Sequence, residues 1–295
     1  MTDHKDFLAS LPDAEKSALT QTSNRAGLTH LAGHAGLILF CGLLIWLRVP
    51  FWPVLLPVQG VLIVFLFTLE HECTHRTPFR SVPLNEWVGR ICGVVLLLPF
   101  GWFRYFHLAH HRFTNLPGQD PELESPKSQN RREWIWHISG LPYWAGNARL
   151  LLRLCLGRER AEYLPSPALG RIETEARIVL GLYALATATL FWTPLLFSVW
   201  ILPALVGQPA LRLYLLAEHG DCPTVANMLE NTRTTFTNRI VRFLAWNMPF
   251  HTEHHVFPSV PFHKLPTLHH RMRTALRVTE DGYVAFTRAY LARRR

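Results

Sequence analysis

The stretch LEHECTHRTPF, residues 69–79, decides how the rest of this sequence is interpreted. Within it, His71, Glu72 and His75 form the pattern H-E-x-x-H. On a helix, two histidines one turn apart can bind zinc while the glutamate activates a water molecule, which is the signature of a metallopeptidase. The same letters also satisfy H-x-x-x-H, in which only the two histidines bind a metal. The surrounding sequence has to separate these two interpretations.

The composition indicates a membrane protein. Of the 295 residues, 49% are hydrophobic and 17% are charged, which is apolar for a soluble enzyme of this length. Residues 1–25 are polar and of mixed charge, so we expect no signal peptide and insertion through the first transmembrane helix. The five cysteines are scattered and lack C-x-x-C spacing, which favours neither a disulfide framework nor a zinc ribbon.

Four apolar segments approach the roughly 20 residues that a bilayer requires. They lie at about residues 28–47, 51–69, 178–196 and 197–217. A weaker apolar stretch, 94–100, is too short to span, and we interpret it as interfacial or re-entrant. The sequence therefore predicts an all-α integral membrane protein with about four transmembrane helices.

The distribution of charge predicts the orientation of these helices. The short connections at 48–53 and 193–198 contain one basic residue, Arg48. Nearly all other Lys and Arg lie in three segments, which are 1–25, 71–177 and 218–295. The positive-inside rule then places both termini and the long insertion in the cytosol, with the protein in the inner membrane of a bacterium. This sidedness accounts for the net charge of +9, and no nucleic-acid partner is expected.

We predict one membrane domain in five consecutive parts. These are a cytosolic N-terminal segment (1–27), a first transmembrane pair (28–70), a cytosolic helical cap with two histidine clusters (71–177), a second transmembrane pair (178–217), and a further cap segment with the last histidine cluster and a basic tail (218–295).

Histidines are concentrated in the segments predicted to be cytosolic. Two clusters of the form H-x-x-H-H supply six of them, which are His107, His110 and His111 in HLAHH, and His251, His254 and His255 in HTEHH. On a helix, positions i, i+3 and i+4 share one face, so each cluster can direct three imidazoles to one point. His219 is a further candidate, because it lies where the fourth helix leaves the bilayer, level with His75.

With His71 and His75 the total is nine imidazoles, which is too many for one catalytic zinc with three protein ligands. Nine suit two metals with four or five nitrogen ligands each, and thus a dimetal site in the cap. Imidazole binds Zn, Cu, Fe and Ni alike, so ligand type leaves the metal open. Other histidines are interpreted as packing or surface residues, which are His30, His34, His137, His263, His269 and His270.

From His71 to Pro266 the sequence resembles the membrane fatty acid desaturase and hydroxylase superfamily. The resemblance rests on three histidine boxes and on the letters AHHRFTN, AEHG and HTEHHVFPSVPFHKLP. It implies a non-haem di-iron centre of two iron ions on the cytosolic face, with O2 as oxidant. The implied ligands are His71, His75, His107, His110, His111, His219, His251, His254 and His255.

Carboxylates and amides near these histidines are candidates for orienting the imidazoles. They are Glu70, Glu72, Asn115, Asp120, Glu218, Asn247 and Glu253. Electrons are expected from a separate donor, either a ferredoxin- or rubredoxin-type protein with its reductase, or a cytochrome b5-like protein, because the sequence contains no haem module and no cysteine cluster. Membrane lipid is the other expected partner.

Three functions remain open, of which the resemblance implies the first two and the H-E-x-x-H pattern gives the third. The first is desaturation or hydroxylation of an unactivated C–H bond in a fatty acyl chain or lipid-like substrate. The second is hydroxylation of a small non-lipid molecule at the same site. The third is an intramembrane zinc peptidase that uses HECTH, although the third and fourth apolar segments contain no Asp or Glu before Glu218 to complete a zinc site. A metal transporter is disfavoured, because the histidines lie at helix ends or outside the apolar spans.

Overall fold

The structure is a computed structural model, and it describes residues 3–124 and 128–294. Sixteen α-helices account for most of the described residues. They are α1 (His4–Ser10), α2 (Asp13–Leu19), α3 (Asn24–Trp46), α4 (Leu55–Val64), α5 (Leu66–His75), α6 (Val82–Leu96), α7 (Phe100–Phe113), α8 (Arg131–Ile138), α9 (Leu141–Cys155), α10 (Ser166–Ala188), α11 (Leu202–His219), α12 (Met228–Asn231), α13 (Arg239–Leu244), α14 (His251–Val256), α15 (Leu265–Met272) and α16 (Tyr283–Ala292). Two short parallel strands, β1 (Thr234–Thr235) and β2 (Thr279–Glu280), complete the fold.

Four helical stretches of the described residues are long and apolar enough to cross a membrane. They are Asp13–Trp46, Trp52–His75, Ser166–Phe191 and Phe197–His219. The prediction of an all-α membrane protein with about four transmembrane helices is therefore confirmed. The third helix begins twelve residues before its predicted apolar start at 178, because its charged first turns form ion pairs: Glu173 binds both Arg160 and Arg177.

The weak apolar stretch at 94–100 is the corner between two helices. α6 and α7 meet at an angle of 99°, and Leu97, in a left-handed conformation with φ +56°, ends α6. The last carbonyls of α6 have partners from other helices, since Tyr143 donates to Leu96 O at 3.2 Å and Trp200 Nε1 donates to Val95 O at 2.9 Å. The corner directs α7, with its histidines, across the end of α5.

Close contact between α4 and α11 brings two histidine-bearing helix ends side by side. A Cβ atom at Gly60 would lie 2.2 Å from Pro203 O, and one at Gly207 would lie 2.2 Å from the carbonyl carbon of Gly60. Only glycine permits the two backbones to approach this closely. The C-terminal ends of α5, which follows α4, and of α11 are thereby held near each other.

The first and last parts of the chain pack together. Phe7, Leu11 and Leu19 are buried in one core with Phe250 and Val256. The backbone N–H of residue 4 also donates to the side-chain oxygen of residue 227 at 3.2 Å. The N-terminal helices and the segment that carries α14 therefore lie on the same side of the transmembrane helices.

Candidate metal centre

The helices bring nine histidines to one place. α5 carries His71 and His75 one turn apart, α11 ends at His219, and the rest are on α7 and α14. Seven of the nine are buried, whereas His75 and His219 retain partial exposure. The nine residues are the ones named from the sequence, and residues 183 positions apart come into contact.

Five imidazoles form a first group, which consists of His71, His75, His107, His111 and His254. Each of the five contributes one ring nitrogen, and these five nitrogens all lie within 4.8 Å of one another. The shortest separations are 2.7 Å between Nε2 of His71 and His254, and 2.9 Å between Nε2 of His75 and His107. Two nitrogens bound to one metal at about 2.0–2.1 Å and at a right angle would be about 3 Å apart, so these separations match shared coordination.

Four imidazoles form a second group beside the first. One ring nitrogen each from His110, His219 and His255 lie within 4.8 Å of one another. Nε2 of His251 lies 3.1 Å from Nε2 of both His219 and His255. The groups adjoin through His111 and His255, whose rings stack with centroids 4.0 Å apart and planes at 8°. The imidazoles thus form adjacent groups of five and four, whereas their division between two metals stays a prediction.

Asp120 orients the imidazole of His110. Its two carboxylate oxygens lie 2.9 and 3.0 Å from His110 Nδ1, and they also accept from the backbone N–H groups of Asn115 and Glu122 at 2.6 and 2.9 Å. Burial alone would raise the pKa of Asp120, but these hydrogen bonds hold it below its ordinary value. An ionised carboxylate at Nδ1 keeps the proton there and leaves the Nε2 lone pair available to a metal.

Two further carboxylates face the outer nitrogens of α14. Glu218 Oε1 lies 3.3 Å from His251 Nδ1, and Glu72 Oε1 lies 3.5 Å from His254 Nδ1. The other oxygen of Glu72 accepts from Thr77 Oγ1 at 2.9 Å and from Phe262 N at 3.1 Å. Glu72 therefore lies on the outer side of the imidazoles. A peptidase base would have to face the inner side, where a metal-bound water would lie.

Two partners of the imidazoles were not predicted from the sequence. Thr114 Oγ1 lies 3.1 Å from His255 Nδ1, and the backbone carbonyl of Asn231 lies 3.0 Å from His219 Nδ1. Thr114 follows HLAHH within the AHHRFTN letters, so its proximity was a readable signal. The Asn231 contact uses a main-chain atom that every residue possesses, so no sequence pattern could have identified it.

The remaining carboxylate and amide candidates make no hydrogen bond to the nine imidazoles among the described residues. Asn115 Nδ2 donates to the carbonyls of residues 222 and 223, and Asn247 Nδ2 donates to Phe262 O at 3.0 Å. Glu253 pairs with Thr234 Oγ1 at 2.6 Å and with His269 Nδ1. Both carboxylate oxygens of Glu70 are buried without a hydrogen-bond partner among the described residues. These four contribute to loops and to the core around the centre.

The donor set fits a bound metal. The pKa values of His251, His254 and His255 lie well below the ordinary value. Burial is the main cause, and the charges of neighbouring imidazoles add to it. Neutral imidazole is the form that binds metals. Where Nδ1 keeps the proton, the converging Nε2 atoms are acceptors. Acceptors held about 3 Å apart repel one another unless a cation lies between them.

The packing histidines lie outside both groups. His30 and His34 donate from Nε2 to the carbonyls of Phe243 and Leu62, at 2.7 and 2.8 Å. The Trp246 indole N–H donates to Nδ1 of His34 at 3.3 Å. Both rings therefore serve helix packing, as predicted.

Comparisons with known proteins agree with this geometry. A family model described as fatty acid desaturase matches residues 44–287. The chain is 25% identical over 254 residues to an sn-1 oleoyl-lipid 12-desaturase of Arthrospira platensis. The aligned region covers 75% of this chain and 70% of the relative. It is 24% identical over 235 residues to an sn-1 acyl-lipid omega-3 desaturase (ferredoxin) of Synechocystis, covering 73% of this chain and 65% of the relative. A sphingolipid delta(4)-desaturase/C4-monooxygenase of Mus musculus is 26% identical over 203 residues, covering 66% of this chain and 58% of the relative.

Proposed function

The chain belongs to the fatty acid desaturase family, and from this premise we propose that it is an O2-dependent membrane oxidoreductase with a non-haem di-iron centre. The reaction proposed is desaturation or hydroxylation of an unactivated C–H bond in a fatty acyl chain or lipid-like molecule. The observation that carries the proposal is the set of nine imidazoles, seven of them buried, in adjacent groups of five and four. It rests also on relatives whose names specify acyl-lipid and sphingolipid desaturases.

The proposed ligands divide as the groups do. The first iron would be held by five histidines, which are His71, His75, His107, His111 and His254. The second would be held by four, which are His110, His219, His251 and His255. Two bound irons would supply the activation of O2, since no side chain is a strong enough oxidant to remove hydrogen from an unactivated C–H bond.

The role of the protein is to position these ligands and to exclude water. Asp120 keeps the Nδ1 proton of His110 in place, and Glu218 and Glu72 stand at the corresponding atoms of His251 and His254. Burial of both groups limits access of water to the reacting carbon. Desaturation and hydroxylation share such a site and differ in how the substrate carbon is placed, which agrees with a relative named for both activities.

The proposal includes a separate electron donor of the ferredoxin type, supported by the relative whose name specifies ferredoxin. It also places the centre and both termini in the cytosol, within a single membrane domain. The basic character of 1–25, 71–177 and 218–295 supports this orientation, and so does the packing of α1 and α2 on the core around α14.

The test is the metal content of protein purified anaerobically from iron-supplemented cells, together with His254→Ala. We expect about two irons per chain, with exchange-coupled iron in the Mössbauer spectrum. His254→Ala should lose iron, because its Nε2 lies 2.7 Å from that of His71 and 3.2 Å from that of His111. His270→Ala is the matched control, since His270 is exposed and lies outside both groups. One zinc per chain that persists in His254→Ala would contradict the di-iron centre and restore the peptidase interpretation.

A further inference from the structure

Arg212 is a cation inside a helix that is apolar enough to span the membrane. It lies on α11, within the candidate span Phe197–His219. No carboxylate oxygen of the described residues lies within 4.0 Å of its guanidinium nitrogens. A charged group in such a place is costly unless it is paired, and for that reason it indicates a functional site.

The surroundings hold the guanidinium in a fixed orientation. Its Cζ lies 4.5 Å from the centroid of the Tyr143 ring, and the Tyr143 hydroxyl is anchored to Leu96 O. In the orientation of the Gln208 amide that satisfies its neighbours, the oxygen accepts from Nε at 3.1 Å and from Nη2 at 3.3 Å. The edge formed by Nε and one N–H of Nη2 thus binds Gln208. The other edge, formed by Nη1 and the second N–H of Nη2, has no protein acceptor among the described residues. That edge matches a carboxylate or phosphate with two parallel hydrogen bonds.

The nearest carboxylates act elsewhere. Glu122 and Glu218 interact electrostatically with Arg212 over a longer distance. Both lie beside imidazoles of the candidate centre, since Glu218 Oε1 is 3.3 Å from His251 Nδ1 and Glu122 Oε2 is 3.7 Å from His110 Nδ1. These carboxyl groups face the imidazoles and do not occupy the free edge of Arg212.

Arg212 is placed on the side of α11 that leads to the candidate centre. It precedes His219 by seven residues, so both lie on one helix face and are separated by about 10 Å along the axis. Gln208 lies one turn further on the same face. The exposed apolar residues of α11 end at Leu205 and Val206, so Arg212 follows the lipid-facing part of the helix. It also keeps part of its own surface accessible.

The turn that precedes α9, the helix that carries Tyr143, also contacts Gln208. Gly140, just before α9, presses against the Gln208 side chain, where a Cβ would lie 2.5 Å from Cγ. The turn before α9 is therefore fixed against α11.

From these contacts we infer that Arg212, supported by Tyr143 and Gln208, binds the anionic end of the substrate, a carboxylate or a phosphate, about 10 Å along α11 from the candidate metal centre. This inference rests on the proposed function for the identity of the ligand as substrate. The binding itself requires neither metal nor turnover. The site therefore makes an anionic amphiphile, rather than a neutral hydrocarbon, the class of molecule that the centre receives.

The test is ligand binding by native mass spectrometry on the detergent-purified full chain, without added iron. The probes are oleate against methyl oleate, and phosphatidic acid against diacylglycerol. Wild type should prefer the anionic member of at least one pair about tenfold. Arg212→Gln should remove that preference. Arg212→Lys should keep part of it, because lysine retains the charge but lacks the planar guanidinium that makes two parallel hydrogen bonds. The pair that responds identifies the source as a fatty carboxylate or a lipid phosphate.

Arg177→Gln is the matched control. Arg177 lies on α10, pairs with Glu173 and is exposed, so its loss should leave both preferences unchanged. Absence of any preference in wild type, or an unchanged preference in Arg212→Gln, would overturn the inference. If Arg212→Gln fails to fold, Arg212→Lys decides the test. A preference for the anionic probe as strong as that of wild type would contradict binding through two parallel hydrogen bonds. If the chain binds oleate through Arg212 but contains no iron even when purified from iron-supplemented cells, the anion-binding site stands, whereas the di-iron proposal and the identity of the anion as substrate are refuted.

Discussion

At the scale of single residues, the candidate centre depends on which nitrogen of each imidazole faces inward. For the imidazoles with described outer contacts, Nδ1 faces a carboxylate, a hydroxyl or a backbone carbonyl, while Nε2 faces the neighbouring rings. All nine histidines and the carboxylates Glu72, Asp120 and Glu218 were identifiable from the sequence. Asp120 lies nine residues beyond His111, and only the turn that follows α7 brings it back to His110.

Asp120→Asn tests this orientation. The substitution keeps the shape of the side chain and removes its charge, so Nδ1 of His110 loses its ionic partner. We expect the second group to lose metal affinity by roughly tenfold to 100-fold, while the first group retains its metal. Titration with a chelator of moderate affinity, followed by metal analysis, should show one iron leaving early. The same titration curve as wild type would contradict the role given to Asp120, and Asp281→Asn, at an exposed carboxylate, is the control.

At the scale of elements, apolar length predicted the four spans, whereas their ends and corners depended on specific contacts. The corner at Leu97 was predicted from the sequence only as a short interfacial or re-entrant stretch, because 94–100 is apolar without being long enough to span. The third helix was predicted too short, because periodicity and apolarity do not register ion pairs such as Glu173 with Arg177. The close contact of α4 with α11 was not predicted, because two glycines 147 positions apart in sequence carry no joint pattern.

The contact between α4 and α11 has a measurable consequence. Gly207→Leu would force side-chain atoms into the Gly60 backbone, since even a Cβ atom at residue 207 would lie 2.2 Å from its carbonyl carbon. We expect the helices to separate, the melting temperature to fall, and the second group to lose metal as His219 moves away from its partners. Gly181→Leu on α10 is the control, because a Cβ there meets nothing within 4 Å. Equal melting temperatures and metal contents for the two variants would show that the contact does not position His219.

At the scale of the whole molecule, the distribution of charge and the packing of the N-terminal helices both indicate that α1, α2 and α14 lie on the same side of the transmembrane helices. The connection at 48–53 contains a single basic residue and lies at the opposite end of the helices from α14. The orientation of the whole molecule stays a prediction, which rests on charge asymmetry acting during insertion. The sequence could not predict that α1 and α2 would join the core around α14, since those contacts are made between the two ends of the chain.

Labelling with a membrane-impermeant maleimide tests the orientation in intact cells. In a Cys155→Ser background, which removes the partly exposed cysteine, Arg48→Cys should react from outside. Asp281→Cys should react only after the cells are opened, because the second cap segment is expected in the cytosol. The reverse pattern would invert the proposed topology. Labelling of both positions in opened cells confirms that each is accessible.

The packing of the N-terminal helices also bears on how the protein is made. His71 leaves the ribosome long before His254, 183 residues later, and the core that seats α14 draws on both Phe7 and Met272. During synthesis, the imidazoles of α5 and α7 therefore lie in a partly assembled chain until their partners on α14 have been made. Completion of both groups becomes one of the last events of folding. If the centre binds metal as proposed, metal loading would require that translation has passed His255, and a chain interrupted before that residue would lack part of both groups.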